Sequence, residues 1–410
     1  MTHYLITLLG INPREASYTL GESEPRSARL APLALLELLP EDQRPDEVLA
    51  FCTGKAREDS LGYLEEGLRG CCPVSPVDIA DGKRQEDIYN FLNKLTNALP
   101  GDEEVELTVD ITHGFRHFSF LTYIGVLYLT ALRGIKLRGA YYGLYHPEEP
   151  ISPFLDLKPL LEFPGWIHAL RTLEETGSAR PLANMLGRGL ENSQTLDRIK
   201  KHLSELTQSY LAGLPLEIGK AIAEVENKKT QIEEQLSSDH HLPLADELCD
   251  NLMTLLQPLT LEINLNKGWK GRAELDKQEL RRQAVLINEL IERENYPAAF
   301  GLLLEWVVSW VVWCKYGAKP WLDWDKRKKA DTLLWAMSAL LQDNQLKTHL
   351  SDKQQALAVF WNDIRELRNG YAHHGMRSEV QVGGKKILRT RHRVVTYWKE
   401  TLSGLPDISL

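Results

Sequence analysis

A short segment in the C-terminal part of the chain contains residues suited to chemistry on a phosphate group. The sequence RNGYAH begins with Arg368 and Asn369 and ends with His373. A histidine transfers protons near neutral pH, and an arginine stabilises negative charge that develops in a transition state. Because no cluster of carboxylates accompanies these residues, they suit metal-independent RNA cleavage in which the substrate's own 2′-hydroxyl is the nucleophile.

The helix that should carry this segment has an unusual pattern. At about 100° per residue, Lys353–Arg368 has one apolar stripe, and Arg368 falls within it at about 20° from its first member. The stripe consists of Leu357, Phe360, Trp361, Ile364 and Leu367. A charge there is costly unless it is paired or faces a partner or a substrate. Gly370 can loosen the turn so that Arg368 and His373 share one cleft. The alternative is a structural arginine at the helix end and a surface histidine.

Two basic runs near this segment are candidate RNA contacts. Lys315–Lys329 has six basic residues against two acidic ones, with Tyr316, Trp321 and Trp324 interleaved. The second run consists of Lys385, Lys386, Arg389, Arg391 and Arg393. Either run is equally compatible with a solvated protein surface.

A second motif lies in the N-terminal part, where DITHGFRH (Asp110 to His117) follows one predicted strand and begins a predicted helix. The free N–H groups at a helix start favour an anion. Thr112 and Gly114 would let the backbone approach a phosphate, and Arg116 would add positive charge.

Two further strand ends should meet at the same edge of the sheet. These ends carry Gly10 and Asn12, and Thr53 and Lys55. Since neither GxGxxG nor GxxxxGK[ST] occurs, ordinary dinucleotide sites and P-loops are disfavoured. A phosphate-bearing ligand and a purely structural turn both remain open here.

A metal site is a further alternative for the second motif. His113 and His117 are four residues apart, with Asp110 nearby, which resembles ligand spacing. The simpler interpretation is that each histidine is hydrogen-bonded within the protein.

The elements that would position these residues divide the chain into two parts. Short apolar strands alternate with helical segments up to about residue 145, which predicts a parallel sheet covered on both faces. The predicted strands are Tyr4–Leu9, Glu47–Phe51, Val74–Ile79, Val105–Val109 and Lys136–Tyr142. The resulting fold is a Rossmann-like α/β domain, with its ligand site beyond the carboxyl ends of the strands.

The remainder of the chain has helical periodicity. The predicted helices include Leu182–Leu236, Ala298–Trp313 and Arg391–Leu405, and a small hairpin is expected at Val380–Ile387. We therefore expect an α/β domain at 1–160, a helical connector at 161–280 and an all-α domain at 281–410.

Composition limits the classes of function. The 410 residues are 43% hydrophobic and 26% charged, with a net charge of −9, which argues against bulk coating of nucleic acid. Five cysteines at unrelated spacings suggest a reducing cytoplasm, and the N-terminus does not read as a signal peptide. The apolar stretch Phe300–Cys314 is expected to be a buried helix rather than a membrane span.

Together the two motifs resemble one known family. DITHGFRH resembles the D-x-T-H-G branch of CRISPR-associated CARF domains, and RNGYAH resembles the R-x4-H motif of HEPN ribonucleases. Their order is similar to that of the CARF–HEPN effectors of type III CRISPR systems. Ser119 stands close to a position where this branch often has proline, which is a small departure.

The resemblance implies a homodimer in which the N-terminal pair binds a cyclic oligoadenylate and the C-terminal pair then cuts single-stranded RNA. Cyclic tetra-adenylate is the ring that the family favours. The implied catalytic residues are Arg368, Asn369 and His373. The implied ligand residues are Thr112, His113, Gly114 and Arg116, with Gly10, Asn12, Thr53 and Lys55 added from strand-end topology. No metal, cofactor or membrane is expected.

Two other functions remain open at this point. The N-terminal domain could itself degrade the cyclic ligand, because a 2′-hydroxyl held in line can cleave with little help from side chains. Alternatively, the protein could be a ligand-responsive binding module without enzymatic activity, with Arg368 and His373 in structural roles.

Overall fold

The computed structural model describes residues 1–101, 104–146, 148–186, 194–238, 243–261, 267–319, 321–343, 345–372 and 384–406. The chain forms two compact units, Met1–Pro164 and Gly165–Leu410. The first contains a mixed β-sheet with flanking helices, and the second is mostly helical among the described residues. This order of a mixed sheet with flanking helices and a mostly helical part is compatible with the fold class predicted from the sequence.

Eight strands form the sheet of the first unit, in the order β3-β2-β8-β7-β6-β1-β4-β5. Their bounds are β1 (Thr2–Leu8), β2 (Ala16–Leu20), β3 (Arg26–Ala28), β4 (Glu47–Cys52), β5 (Val74–Asp78), β6 (Val105–Asp110), β7 (Lys136–Gly143) and β8 (Ser152–Asp156). The five strands β5-β4-β1-β6-β7 are mutually parallel. They correspond to the five strands predicted from the sequence, and their order is that of a Rossmann-like sheet.

The helices of this unit cover both faces of the sheet. They are α1 (Ala31–Leu38), α2 (Gly54–Ala56), α3 (Gly62–Gly67), α4 (Gln85–Asn97), α5 (Arg116–Arg133) and α6 (Lys158–Leu161). Successive strand residues face opposite sides, so Leu5 packs in a core with α1 and α3, whereas Ile6 packs in a second core with α4 and α5.

The prediction of a purely parallel sheet is wrong at one edge. β3 pairs antiparallel with β2, and β8 pairs antiparallel with β7. These three strands have at most five residues each and are mostly half-buried or exposed. They lack the continuous apolar run by which buried parallel strands are recognised, so the sequence pattern did not reveal them.

Eleven α-helices make up most of the described residues of the second unit. They are α7 (Phe163–Thr176), which begins at the boundary, α8 (Arg180–Leu186), α9 (Gln194–Leu211), α10 (Pro215–Glu226), α11 (Lys229–Ser238), α12 (Ala245–Leu256), α13 (Lys277–Glu292), α14 (Tyr296–Tyr316), α15 (Trp324–Leu340), α16 (Asp352–Ala372) and α17 (Lys385–Glu400). The predicted helical run Leu182–Leu236 is divided among α8, α9, α10 and α11. The hairpin expected at Val380–Ile387 is wrong where the structure describes it, because Lys385 begins α17; residues 380–383 lie outside the described residues.

Helix α14 is the central helix of the second unit. It has 21 residues, so by length and composition alone it could cross a membrane, and it is longer than the sequence pattern suggested. Its most apolar window is 61% buried within the protein, with Trp306 and Trp310 fully buried. The helix therefore meets the sequence-based expectation of a buried core helix.

Candidate functional site

The first candidate site lies where the order of the parallel strands reverses. After β2 and β3 at the far edge of the sheet, the chain forms β4 beside β1, continues outward to β5, and then returns to β6 on the other side of β1. The carboxyl ends of β1 and β6 therefore border the crevice in which Rossmann-like proteins bind ligands. Gly10 follows β1, and Asp110 is the last residue of β6. The sequence motif that begins at Asp110 thus stands at the switch point of the sheet.

The carboxylate of Asp110 organises the turn after β6. The residue is fully buried, and its Oδ2 accepts a hydrogen bond from the Thr7 hydroxyl of β1 at 2.8 Å. Its Oδ1 accepts hydrogen bonds from both the backbone N–H and the hydroxyl of Thr112. The Thr112 hydroxyl in turn accepts the N–H of Gly143 at the end of β7, at 2.8 Å. The polar side chains of this motif therefore join three strand ends.

His113 has a structural hydrogen bond of its own. Its Nε2 accepts the backbone N–H of Ala31, the first residue of α1, at 3.0 Å. Burial lowers the pKa of His113, while the nearby Asp110 carboxylate opposes this shift. The imidazole is therefore neutral at neutral pH, and it satisfies a helix N–H that has no partner within the helix.

Gly114 is a position that needs glycine. Its φ is +85°, and a Cβ there would lie 3.0 Å from the Cβ of Leu8. The following residue, Phe115, is the N-cap of α5 and provides no side-chain cap for the helix. The backbone at the start of α5 is therefore brought close to β1 while its N-terminal N–H groups receive no side-chain cap from Phe115, an arrangement that suits an anionic ligand.

Two cavities lie at this edge and share part of their lining. One has a volume of about 300 Å³ and reaches from Phe51 and Thr53 to Phe118. The other has a volume of about 270 Å³ and is lined by aromatic and polar side chains, Asn12, Arg14, Tyr18, Tyr142 and Tyr145 among them. Both are lined by Gly10, Ile11, Thr112 and His113. The residues shared by the two cavities are thus the turns after β1 and β6.

The remaining predicted ligand residues divide into two groups. Asn12 lines the second cavity, with a φ of +52°, and its N–H donates to Asp59 at 3.2 Å. Thr53 lines the first cavity, and its hydroxyl caps α2 by accepting the N–H of Ala56. Lys55 and Arg116 are both exposed and belong to the lining of neither cavity.

The sequence interpretation omitted the contribution of β7 to this edge. Tyr142 and Gly143 stand at the end of that strand, and Tyr145 follows two residues later. Tyr18 of β2 lies beside them, and burial together with Asp110 raises its pKa to about 12, so its phenol stays protonated. The signal for β7 was present, since its predicted strand also ends at this edge. Tyr18 lies on an edge strand that the sequence pattern did not reveal.

The structure does not direct His113 and His117, the two histidines of the metal alternative, towards a common metal ion. His113 is hydrogen-bonded to α1, whereas the ring of His117 stacks near those of Phe115 and Phe118, at 5.7 and 4.4 Å between centroids. The part of the chain that the structure describes contains no group of three or more His, Cys, Asp or Glu side chains placed to hold a metal ion.

The second candidate site is the end of α16. Arg368 is exposed, and its Nη1 donates to the Asn369 side-chain oxygen at 3.2 Å. The apolar stripe that precedes it is buried within the chain, with Trp361 and Ile364 at 1% and 0% exposure. Arg368 lies on this stripe by helical angle, yet its side chain is exposed in the chain, where it is free to face a partner or a substrate. Its neighbour Leu367 is 1% exposed, so the helix is still packed at this level while the Arg368 side chain itself stays in water.

Aromatic packing fixes the last turn of α16. The Tyr371 ring lies 6.5 Å from that of Tyr296 and 6.0 Å from that of Phe300, both in the first turns of α14. The guanidinium of Arg391, on α17, lies over the Tyr296 ring, 4.3 Å from its centroid. The backbone that carries Arg368 and Asn369 is therefore held by three helices. His373 lies outside the described residues.

The two basic runs are partly neutralised by internal contacts. In the first run, Arg327 pairs with Glu305, and Trp321 is buried with its indole N–H donating to Ala273. In the second run, Arg393 pairs with Asp363, and Lys386 pairs with Glu366. Exposed side chains remain at Trp324, Lys328, Lys329, Lys385 and Arg389.

The fold and the first site define an α/β unit with a crevice at the switch point of its sheet, followed by a helical unit. No family model matches the chain. Its sequence is similar to that of CRISPR-associated protein MJ1674 of Methanocaldococcus jannaschii, with 24% identity over 149 residues. The match covers 36% of this chain and 23% of that relative's length. This similarity supports an association with CRISPR systems.

Proposed function

We propose that this protein is a ribonuclease of CRISPR defence that a cyclic oligoadenylate activates. The observation that carries the proposal is the position of the D-x-T-H-G turn at the switch point of the sheet, between two cavities. The similarity to a CRISPR-associated protein supports the same context. Cyclic tetra-adenylate is the expected ring, and the cytoplasm is the expected compartment.

In this proposal the N-terminal unit binds the ligand mainly through its backbone. The side chains of Asp110, Thr112 and His113 are occupied by the hydrogen bonds that shape the turn. The backbone at Gly114 and the start of α5 then faces the phosphates, with the exposed Arg116 beside it. The aromatic side chains Tyr142 and Tyr145 of the second cavity suit the adenine rings, because a purine stacks on an aromatic face.

In the C-terminal unit, Arg368 stabilises the charge on the pentacoordinate phosphorus and His373 transfers a proton. Asn369 holds the guanidinium of Arg368 through the hydrogen bond at 3.2 Å. The 2′-hydroxyl of the RNA gives up its proton as its oxygen bonds to the adjacent phosphorus, the bond from phosphorus to the 5′-oxygen breaks, and His373 carries the proton to that leaving oxygen. The products are a 2′,3′-cyclic phosphate and a 5′-hydroxyl, and no metal takes part.

We further propose that the protein is a homodimer, and that an exposed stripe on α5 contributes to the contact. Phe120, Ile124, Tyr128 and Leu132 follow one another at intervals of four residues and are between 38% and 62% exposed. No Asp, Glu, Lys or Arg stands between Arg116 and Arg133, so two copies of this stripe meet without charge repulsion.

The stripe is large enough to form the centre of a dimer interface. Its four side chains would bury roughly 100 Å² each, or about half of the ~800 Å² per partner of a standard interface. The half-buried Tyr123 and Leu127 flank it and would supply more. The apolar stripe of α16 is buried within the chain and offers no comparable exposed face.

The decisive experiment is an RNA digest by the full-length protein in EDTA, with and without cyclic tri-, tetra- and hexa-adenylate. We expect cleavage that one ring size stimulates, and resistance of an RNA with a 2′-deoxy nucleotide at the cut site. Consumption of the ring without RNA cleavage would instead identify a ligand-degrading enzyme. Ligand binding with no reaction of either kind would identify a binding module.

A further inference from the structure

Trp335 and Arg365 form an exposed stacked pair across two helices of the C-terminal unit. The guanidinium carbon of Arg365, on α16, lies 3.5 Å from the centroid of the Trp335 ring, on α15. This distance is that of face-to-face stacking between the planar guanidinium and the indole. No local sequence pattern indicates this pair, because thirty residues separate its two members.

The exposure of Trp335 distinguishes it from the core tryptophans. It remains 46% exposed, whereas Trp306, Trp310, Trp361 and Trp398 of the same unit are each less than 2% exposed. This unit therefore buries tryptophan where packing requires it. A large aromatic side chain that stays half in water while a guanidinium covers part of it is an available surface for a planar ligand.

The pair lies one turn before the proposed catalytic residues. Arg365 precedes Arg368 by three residues and Asn369 by four, so all three project from the same side of α16, within about 6 Å along its axis. A nucleotide whose phosphate lies at Arg368 would thus have a neighbouring base within reach of Trp335.

The charges around the pair favour a base over a phosphate. Burial lowers the pKa of Arg365, and the nearby Asp331 carboxylate raises it. Because Asp331 balances part of the charge of Arg365 and would repel a phosphate, the planar surface of the pair is its usable feature. Bases of every type have such a surface, and aromatic or arginine side chains stack on them.

The same face of α15 continues away from the pair. Trp324 lies eleven residues before Trp335, which places it within about 20° on the helix and about 16 Å along the axis. It is 77% exposed, and Lys328 is exposed between the two tryptophans. This face therefore offers a second aromatic surface and a cation to the nucleotides that follow.

We propose that Trp335 and Arg365 form a base-stacking platform that positions single-stranded RNA beside Arg368. The inference rests on the proposed ribonuclease function, and it names the residues that hold the substrate next to the reacting phosphate. Stacking of this kind tolerates any base, so it fixes the position of the strand and not its sequence. Trp335 and Arg365 are positioning residues in this role.

The test measures binding of a fluorescent 2′-O-methyl RNA, which cannot cleave itself, to the full-length protein with cyclic tetra-adenylate. Loss of one stacked base costs about 1–3 kcal/mol, so Trp335→Ala should weaken binding by about 5- to 150-fold. Trp335→Phe should retain most of the affinity. The matched control is Tyr63→Ala, because Tyr63 is 42% exposed beneath Arg29 in a similar pair of the first unit.

Abasic nucleotides placed one at a time along the RNA make the test specific. The position that weakens binding to the wild-type protein should have no effect on Trp335→Ala, since the contact is already lost there. The platform is refuted if Trp335→Ala binds RNA like the wild type. It is also refuted if the variant loses affinity together with thermal stability and is still weakened by an abasic nucleotide at the same position as the wild type. If the wild type neither binds nor cuts RNA under any ligand, the proposed function fails instead.

Discussion

The turn after β6 and the end of α16 differ in what holds their side chains. At the turn, Asp110, Thr112 and His113 are tied by hydrogen bonds to other strands and to α1. At the helix end, Arg368 is exposed and bonds to its neighbour Asn369. Both motifs are rich in polar residues, but the side chains of the first are bonded within the protein, whereas Arg368 of the second is exposed to solvent.

This difference separates residues that build a site from residues that act in one. A carboxylate that accepts three hydrogen bonds within the protein has little capacity left for a ligand, so the first motif offers its backbone. An exposed guanidinium on a packed helix end can present its N–H donors to a phosphate. Substitutions at the first motif should therefore affect stability and binding together, whereas those at the second should affect reaction alone.

The largest effect is expected at the helix end. Arg368→Ala and His373→Ala should each lower RNA cleavage by about 10²–10⁴-fold, because each removes one contribution to the transition state. The free energy of unfolding and the affinity for the cyclic oligoadenylate should be unchanged. The measurements are single-turnover cleavage, chemical denaturation and calorimetry of the ligand. Arg171→Ala, at an exposed arginine of α7, is the matched control. A fully active His373→Ala variant would contradict the mechanism.

The next effect tests the backbone of the turn. Gly114→Ala should destabilise the first unit by about 2–4 kcal/mol and abolish ligand binding, because alanine is strained at positive φ and its Cβ would press on Leu8. Gly134→Ala is the control, since Gly134 has a φ of +66° with open space around a Cβ. It should cost about 1–2 kcal/mol and leave binding intact. Equal effects of the two substitutions, measured by urea denaturation, would remove the special role of Gly114.

The proposed dimer face should respond to charge. Ile124→Glu should raise the dimer dissociation constant at least about tenfold, because each copy would bury a carboxylate against the other. Thr130→Glu, at an exposed position of α5 away from the stripe, should leave the dimer unchanged. Sedimentation velocity over a range of concentrations measures both. A wild-type protein that is monomeric at micromolar concentration, with and without ligand, would refute the dimer.

The smallest effect concerns pH. Burial lowers the pKa of His113 in the folded state, so the unfolded chain binds the proton more readily. The stability of the first unit should therefore be full above pH of about 6.5 and should decrease as the pH falls below that value. His113→Gln should reduce this slope, whereas His146→Gln, at an exposed histidine, should not. Hydrogen exchange of β1 and β6 between pH 7.5 and 5 gives the comparison. His3 has a lowered pKa of the same sign, so some slope should remain in the His113 variant.

Local sequence patterns were sufficient to predict most of the strands and helices that carry the two motifs. Continuous apolar runs identified four parallel strands by their ends at Gly10, Thr53, Asp110 and Gly143, and the run Val74–Ile79 identified the fifth. Helical periodicity identified α16 and its apolar stripe, since both properties depend on residues at most four positions apart. The short edge strands β2, β3 and β8 were missed, because their few half-buried residues have no such pattern.

The tertiary structure decided which of these elements meet and which side chains remain in water. It joined Asp110 to Thr7 and Thr112 to Gly143, and it placed His113 against α1. It also left Arg368 exposed although the helical angle puts it on the apolar stripe, and it stacked Arg365 on Trp335. Contacts between distant segments depend on strand order and on where covering helices end, and neither is encoded in the period of a single element.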